Sequence, residues 1–255
     1  MKIATWNVNS LRVRLPQVLQ WLESEQPDLL ALQETKLTDD QFPETDFLAA
    51  GYHAVFSGQK TYNGVAVLSR APVTDIVTAI PALEDPQRRV LAVSYGDVRL
   101  IDLYVPNGES VESEKYQYKL NWLDKLSVWL TTELQQHAKL VVVGDFNIAP
   151  ADADVHDPAA WKGSVLCSDA ERAGFQHLLD LGLCDSFRRF DQPEKSFSWW
   201  DYRMNAFRRN LGLRIDQILA SKPLCEACTA CTIDKEPRKW ERPSDHAPVI
   251  AEFKV

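Results

Sequence analysis

The sequence predicts a single α/β domain, and three features predict it. Short apolar runs rich in Val, Ile and Leu recur along the chain, as buried strands require. They alternate with segments whose apolar residues return at helical spacing, most clearly in residues 11–22 and 115–136. No linker, low-complexity tract or internal repeat divides residues 1–255. Strands of mixed character interleaved with helices therefore read as one α/β unit, long enough to bury a substantial core.

Residues 2–10 alternate like a first strand and end in Asn7 and Asn9. Leu11, Leu15, Val18, Leu19 and Leu22 then mark a helix with Ser10 as its N-cap, broken at Pro27-Asp28. Residues 29–34 form a second buried strand that finishes in Glu34. Residues 53–56 and 64–69 read as strands joined by the polar loop 58–63, which carries Lys60 and Tyr62. Residues 90–95 and 98–105 form a hairpin around Gly96-Asp97, and the second strand carries Tyr104 near its end. Residues 115–136 make a long amphipathic helix with Tyr118, Trp122, Leu126 and Trp129 facing inward.

The run 140–143 is continuous, β-branched and apolar, as for a strand covered on both faces, and it stops at Gly144. Asp145 and Asn147 follow. Strand geometry across residues 145–147 would point both polar side chains one way and Phe146 into the core. Ordinary turn chemistry is the competing account of Gly, Asp and Asn at this place. Residues 151–168 are polar and irregular, residues 169–181 helical. Residues 212–219 read as a strand with Asp216 in mid-run, and residues 249–253 close the chain after Ser244-Asp245-His246.

Hydrophobic content of 45% and charged content of 25% are those of an ordinary globular protein. No apolar run approaches the ~18 residues of a membrane span, and Met1-Lys2 leads straight into strand without a signal-peptide region. The expected setting is cytoplasmic, with no membrane partner. Five cysteines, an odd number without disulfide spacing, agree with free thiols. Cys225, Cys228 and Cys231 lack a nearby fourth ligand, so buried thiols in a helix or strand account for them better than a metal cluster. The net charge of −8 argues against nonspecific coating of nucleic acid, though not against a local basic face.

Asn7, Glu34, Tyr104, Asp145, Asn147, Asp216, Asp245 and His246 all fall at strand ends or in the loops just after them. A lone Glu34 would ordinarily be a solvated surface group. Together, however, oxygen donors suit a hard cation such as Mg²⁺, and an adjacent Asp and His offer acid–base groups near neutral pH. Few His or Cys residues join the set, which argues against structural zinc. The chemistry this implies is metal-assisted hydrolysis of a phosphoester.

Trp6-Asn7-Val8-Asn9, Leu32-Gln33-Glu34-Thr35-Lys36, Tyr104-Val105-Pro106-Asn107-Gly108, Gly144-Asp145-Phe146-Asn147, Leu213-Arg214-Ile215-Asp216 and Ser244-Asp245-His246-Ala247-Pro248 resemble, in order, the motif series of the exonuclease III/AP endonuclease family, part of the endonuclease/exonuclease/phosphatase superfamily. The ordered set, spanning residues 2 to 253, carries the resemblance; no single motif does. It implies a four-layer α/β sandwich, two mixed β-sheets packed face to face and flanked by helices. It also implies roles. Glu34, with Asn7 and Asp245, would bind Mg²⁺, with Mn²⁺ able to replace it. Asp145 would orient or deprotonate the attacking water, and Asn147 would hold a phosphate oxygen. His246, fixed by Asp216, would donate to a non-bridging oxygen, and Tyr104 would contact the phosphate or assist the leaving group.

The stretch 185–214 sets seven basic residues, among them Arg203, Arg208, Arg209 and Arg214, against four acidic ones, interleaved with aromatics. Trp199, Arg203, Asn205 and Phe207 resemble the DNA-repair branch, in which the matching aromatics line a pocket for a flipped-out abasic sugar. Trp200 and Phe187 are expected in the core instead, and Arg208 and Arg209 equally suit a solvated face. Lys60 and Tyr62 could track a DNA strand. The implied activity is Mg²⁺-dependent hydrolysis of duplex DNA by a monomer: 3′→5′ exonuclease, cleaning of blocked 3′ ends, and incision 5′ to abasic sites as a further possibility. The alternatives are a phosphomonoesterase or lipid-headgroup phosphodiesterase of the same superfamily, or a noncatalytic DNA-binding relative. Bulk near Cys167, in the loop 161–168, is the expected arbiter between exonuclease and abasic-site activity.

Overall fold

A computed structural model describes residues 1–255. Twelve strands run in chain order: β1 (Lys2–Asn7), β2 (Leu29–Gln33), β3 (His53–Ser57), β4 (Val65–Ser69), β5 (Thr74–Val77), β6 (Val90–Tyr95), β7 (Val98–Tyr104), β8 (Lys139–Asp145), β9 (Leu183–Asp185), β10 (Asp216–Ser221), β11 (Cys228–Ile233) and β12 (Val249–Phe253). Six α-helices accompany them: α1 (Leu11–Glu25), α2 (Glu44–Ala49), α3 (Glu114–Gln136), α4 (Pro158–Trp161), α5 (Asp169–Asp180) and α6 (Lys222–Ala227). The strands form two six-stranded mixed sheets, ordered β11-β12-β1-β2-β4-β3 and β5-β6-β7-β8-β10-β9.

Apolar side chains divide the molecule into layers. Ile3, Leu29 and Val67 of the first sheet meet Val93, Leu100, Val141, Val143 and Ile218 of the second, sealing the sheets face to face. On the outer face of the first sheet, α1 and α2 press Val18, Trp21, Leu22 and Phe47 onto Trp6, Leu30 and Leu68. On the outer face of the second, α3 and α5 press Trp122, Leu126, Leu130 and Phe175 onto Ile101, Leu103, Val142 and Leu219. This is the four-layer α/β sandwich that the motif series implies. It also explains the unbroken apolar runs, because the strands at the centre are covered on both faces.

Strand direction decides where the polar ends gather. β1 and β2 are parallel, as are β7 and β8, so Asn7, Gln33, Tyr104 and Asp145 end together in register. β10 runs antiparallel to β8 and pairs Asp216 directly with Asp145. β12 runs antiparallel to β1, so residues 244–248 enter it from that same rim. One polar pair is buried between the sheets, where Gln33 Nε2 donates to Asp102 Oδ1 at 2.7 Å and Thr5 Oγ1 at 2.9 Å. Burial holds the Asp102 carboxyl well above the usual carboxylate range.

Several expectations need correction. Ser10 stands at the N-cap position of α1, but with φ +90° its side chain makes no capping bond. Asp216 opens β10 instead of lying inside it, because Leu213 bridges instead to Val155 and Trp199. Arg214, counted with the basic face, is buried and ion-paired to Asp154 and Asp185, both at 2.7 Å. Cys225 is not a free thiol: α6 sets it against β9, where it forms a disulfide with Cys184. Cys228 and Cys231 do lie in the core between the sheets. The short elements α2, β5, β9, α6 and β11 lack the long periodicity that marks the others.

Gly144 stops the β8 apolar run for a steric reason. Its φ is +138°, and a Cβ there would stand 1.9 Å from the Leu103 carbonyl oxygen on β7. Gly144→Ala is therefore expected to lower stability by about 3 kcal/mol or more, read as a lower urea midpoint at unchanged m-value. A loss under 1 kcal/mol would show that β8 can retreat from β7.

Candidate active site

The rim is assembled from both sheets. Asn7, at the end of β1, donates through Nδ2 to Glu34 Oε1 at 2.8 Å and to Asp145 Oδ2 at 2.9 Å. Glu34 follows β2 directly and also accepts from Lys36 Nζ at 2.9 Å. Asp145 Oδ1 accepts the Asn147 main-chain N–H at 2.9 Å. Asn147 sits at φ +49°, so the chain turns left-handed there instead of continuing as strand. The expected disposition still results: Asn147 and Asp145 face the same way, and Phe146 packs edge-on to Phe175 in the core.

His246 reaches the rim from the loop before β12. Its Nδ1 lies 2.9 Å from Asp216 Oδ2, and its Nε2 lies 3.8 Å from Asp145 Oδ2. That second distance is too long for a hydrogen bond, so Nε2 and Oδ2 can each meet an oxygen placed beside the pair. The loop itself is stitched down: Ser244 Oγ donates to the Asn7 carbonyl at 2.6 Å, and Trp6 Nε1 to the His246 carbonyl at 3.2 Å. The segment carrying Trp199 is stitched in beside it. The Ser198 carbonyl accepts from Ala247 N–H, and Ser198 Oγ accepts from the N–H groups of Ile215 and Asp216. Both oxygens of Asp245 are already engaged, one by Asn9 Nδ2 at 2.9 Å and the other by Trp199 Nε1 at 3.0 Å.

Environment divides the charge states. Burial alone would lower His246, but Asp216 and Asp145 overcome it and hold the imidazolium up to about 10. Burial raises Asp145 to about 7, with His246 pulling down and Asp216 pushing up. Tyr104 is raised well above the ordinary phenol value by burial and by the Glu34 and Asp145 carboxylates, so it remains an O–H donor. Arg89 stacks on its ring at 4.6 Å. Burial raises Asp245, yet His246, Asn9 and Trp199 more than offset it and leave the carboxyl below its usual value.

Glu34, Asp145 and His246 present ligand atoms within 4.8 Å of one another. Four carboxylates, Glu34, Asp145, Asp216 and Asp245, face two cationic side chains, Lys36 and His246. The rim is thus short of positive charge, and the ligand atoms of its carboxylates and carboxamides are oxygens; a hard divalent cation fits both facts. His246, held protonated by Asp216 and Asp145, offers Nε2 as a donor, which leaves oxygens as the fitting ligands, Glu34 first with Asn7 beside it.

The surroundings were only partly foreseen. Trp199 is half-buried over an apolar patch of Val155, Leu166, Cys167, Leu213 and Ile215. Trp200 and Phe187 are core, as expected. Phe207 packs on Trp200 at 5.0 Å and away from Trp199, while Arg203 is exposed and tied to Asp201. Asn205 is exposed with φ +52°. Lys60 joins Arg12 and Lys36 along a polar depression of about 360 Å³. Tyr62 lines a cavity of about 770 Å³ with Asn63, Arg89, Tyr104, Asn107 and Lys115. Asn107, which donates to Asn147 Oδ1 at 3.1 Å, was overlooked, although its Pro-Asn-Gly setting after a strand was the available signal. Arg12, Lys36 and Leu213 had no signal beyond their neighbours.

The elevated His246 value has a sign that can be checked. Its stabilising contribution is full below pH 6.5 and is lost as pH rises through about 10, each pKa unit being worth about 1.4 kcal/mol. In metal-free protein, Asp216→Asn is expected to remove that part of the fall in stability between pH 6.5 and 10, measured by urea unfolding. An identical slope in both proteins would contradict the assignment of charge to His246.

Comparison with known proteins bears on this geometry. The sequence profile of the Endonuclease/Exonuclease/phosphatase family matches residues 4–246. Exodeoxyribonuclease III of Haemophilus influenzae is 39% identical, with all of each chain covered. The solved structure of the 3′ phosphatase NExo from Neisseria, bound to a product DNA hairpin, is 51% identical with a TM-score of 0.98, and an AP endonuclease from Archaeoglobus fulgidus is 41% identical with a TM-score of 0.96; both alignments cover all of each chain. A rim of strand-end carboxylates with an Asp-held histidine, on a fold shared over its whole length with these enzymes, places the chain in the endonuclease/exonuclease/phosphatase family, among the exodeoxyribonuclease III and AP endonuclease proteins.

Proposed function

We propose that the whole chain, residues 1–255, acts as one domain and as a monomeric DNA-repair phosphodiesterase in the cytoplasm. Its substrate would be duplex DNA, on which it removes nucleotides 3′→5′, cleans blocked 3′ ends and incises 5′ to abasic sites. The observation that carries this reading is the gap between Asp145 Oδ2 and His246 Nε2, where a base and a charged donor face each other across 3.8 Å. The relatives support the substrate class, being an exodeoxyribonuclease, a 3′ phosphatase bound to DNA and an AP endonuclease.

Asp145, poised near neutrality, takes the proton of the attacking water as the water's oxygen closes on phosphorus. His246 donates through Nε2 to a non-bridging phosphate oxygen as negative charge builds, while Asp216 holds the ring. Asn147 spends its amide hydrogens on the Val105 carbonyl at 3.0 Å and on Asp145 Oδ2 at 3.3 Å, so its part is to orient Asp145. Asn107 keeps one N–H for the phosphate, and Tyr104 offers a neutral O–H to the phosphate or the leaving oxygen. Glu34 with Asn7 would hold Mg²⁺, or Mn²⁺ in its place; Asp245 braces Asn9 and Trp199. The ion supplies charge neutralisation at the phosphate when bound.

Arg12, Lys36 and Lys60 in one depression and Arg89 in another cavity, beside Tyr62 and the Glu109-paired Lys115, supply local positive charge despite the acidic whole. Trp199, backed by the buried Leu213 and Ile215, offers an apolar face to a sugar that lacks its base. Arg203, Asn205 and Phe207 lie farther along that segment and would meet the flanking duplex.

The test uses two end-labelled duplexes, one with a single internal abasic analogue and one undamaged with a recessed 3′ end, each with Mg²⁺ and with EDTA. Expected are one metal-dependent cut beside the lesion and a metal-dependent ladder from the 3′ end. Asp145→Asn should lower kcat on both by roughly 10²–10⁴. Cleavage of neither duplex by the wild-type protein would refute the reading.

A further inference from the structure

Lys119 on α3 and Glu171 on α5 take no part in the chemistry above, yet both are wholly buried, with ammonium and carboxylate 2.5 Å apart. Burying such a pair costs more than its attraction returns unless further hydrogen bonds satisfy the remaining donors and acceptors. Those bonds run in two directions. Lys119 Nζ donates to the main-chain carbonyls of Asn147 at 2.6 Å and Asn107 at 3.1 Å. Glu171 accepts from the main-chain N–H groups of Leu166 at 3.0 Å and Ser168 at 3.1 Å, and from Ser168 Oγ at 2.6 Å.

The two ends of the pair thus grip different parts of the site. Asn107 donates to Asn147, which in turn donates to Asp145, and the left-handed backbone of Asn147 gains a hold from outside its own segment. Leu166 belongs to the apolar wall under Trp199. Replacing a buried ion pair by apolar residues of similar volume is often neutral for stability, although Glu171 also caps α5 with Ser168. What they could not do is place two carbonyls and two N–H groups from three separate segments relative to one another.

We propose that the Lys119–Glu171 ion pair is a positioning device for the reaction: Lys119 sets Asn107 and Asn147 against Asp145 and the scissile phosphate, and Glu171 locks the sugar-facing wall to the same point. The inference rests on the phosphodiesterase reading of the rim. It follows that the pair governs turnover more than duplex affinity, since Asn147 acts on Asp145 and Asn107 on the scissile phosphate, and neither meets the flanking duplex. It follows also that the Glu171 end biases abasic-site incision relative to exonuclease.

The test is Lys119→Met/Glu171→Gln in the full chain, which removes both charges and leaves an acceptor for the Leu166–Ser168 amides. Thermal unfolding should remain cooperative. On the abasic duplex, kcat should fall at least about 10-fold while KM and duplex Kd stay within about 2-fold, the split that a purely structural pair would not produce. A folded double variant with wild-type kcat overturns the proposal. Should that variant not fold, Glu171→Gln alone decides: the ratio of abasic-site incision to 3′ exonuclease should change by about 3-fold or more, and an unchanged ratio overturns the proposal. Failure of the wild-type protein to cut either duplex would instead overturn the underlying phosphodiesterase reading, so the two failures are distinct.

Discussion

One carboxamide joins the two halves of this molecule at the point that matters. Asn7 on the first sheet donates to Glu34 beside it and to Asp145 on the second sheet, at 2.8 and 2.9 Å. That arrangement requires the two sheets to stack with their rims level, and the core between them supplies the stacking. It also requires particular strand directions. Parallel pairs deliver Asn7, Glu34, Tyr104 and Asp145 at their C-terminal ends, while antiparallel β10 and β12 start from that rim with Asp216 and, just before it, His246. Without Asn7 between them, two carboxylates would face each other across the sheet boundary with no donor to share.

Charge is then sorted by environment, as in sites where similar groups take different roles. Asp216 keeps His246 protonated; burial and Asp216 together keep Asp145 near the point of losing its proton; burial, with Glu34 and Asp145, keeps Tyr104 a phenol. None of these states belongs to the residue type. Each follows from which neighbour the fold supplies, and the loops that supply them are held by serine hydroxyls on main-chain groups, Ser244 Oγ donating to the Asn7 carbonyl and Ser198 Oγ accepting from Asp216 N–H. The Lys119–Glu171 pair extends the same logic one layer outward.

Much of this was legible in the sequence because strand ends are local. The apolar run 140–143 halted by Gly144, and Asp145 and Asn147 after it, can be read without knowing any partner strand. The pairing of Asp216 with Asp145 could not be, since it depends on register between segments about 70 residues apart, and the reading placed Asp216 inside its strand. Arg214 shows the same blindness: one position from Leu213 and Ile215 in a basic stretch, it turns inward to Asp154 and Asp185. Cys184 and Cys225, 41 residues apart, meet only because α6 folds onto β9. Lys119 was hidden for a simpler reason, because a lysine on an amphipathic helix is expected to face water.

The central claim is that water held at Asp145 attacks phosphorus at this rim. Its most direct test is hydrolysis of the abasic duplex in ¹⁸O-enriched water with mass analysis of both products. The account predicts one ¹⁸O in the newly formed terminal phosphate and none in the sugar hydroxyl. Label in the hydroxyl would mean that a carbon–oxygen bond was broken instead, and the geometry built around Asp145 and His246 would then have been assigned to the wrong reaction.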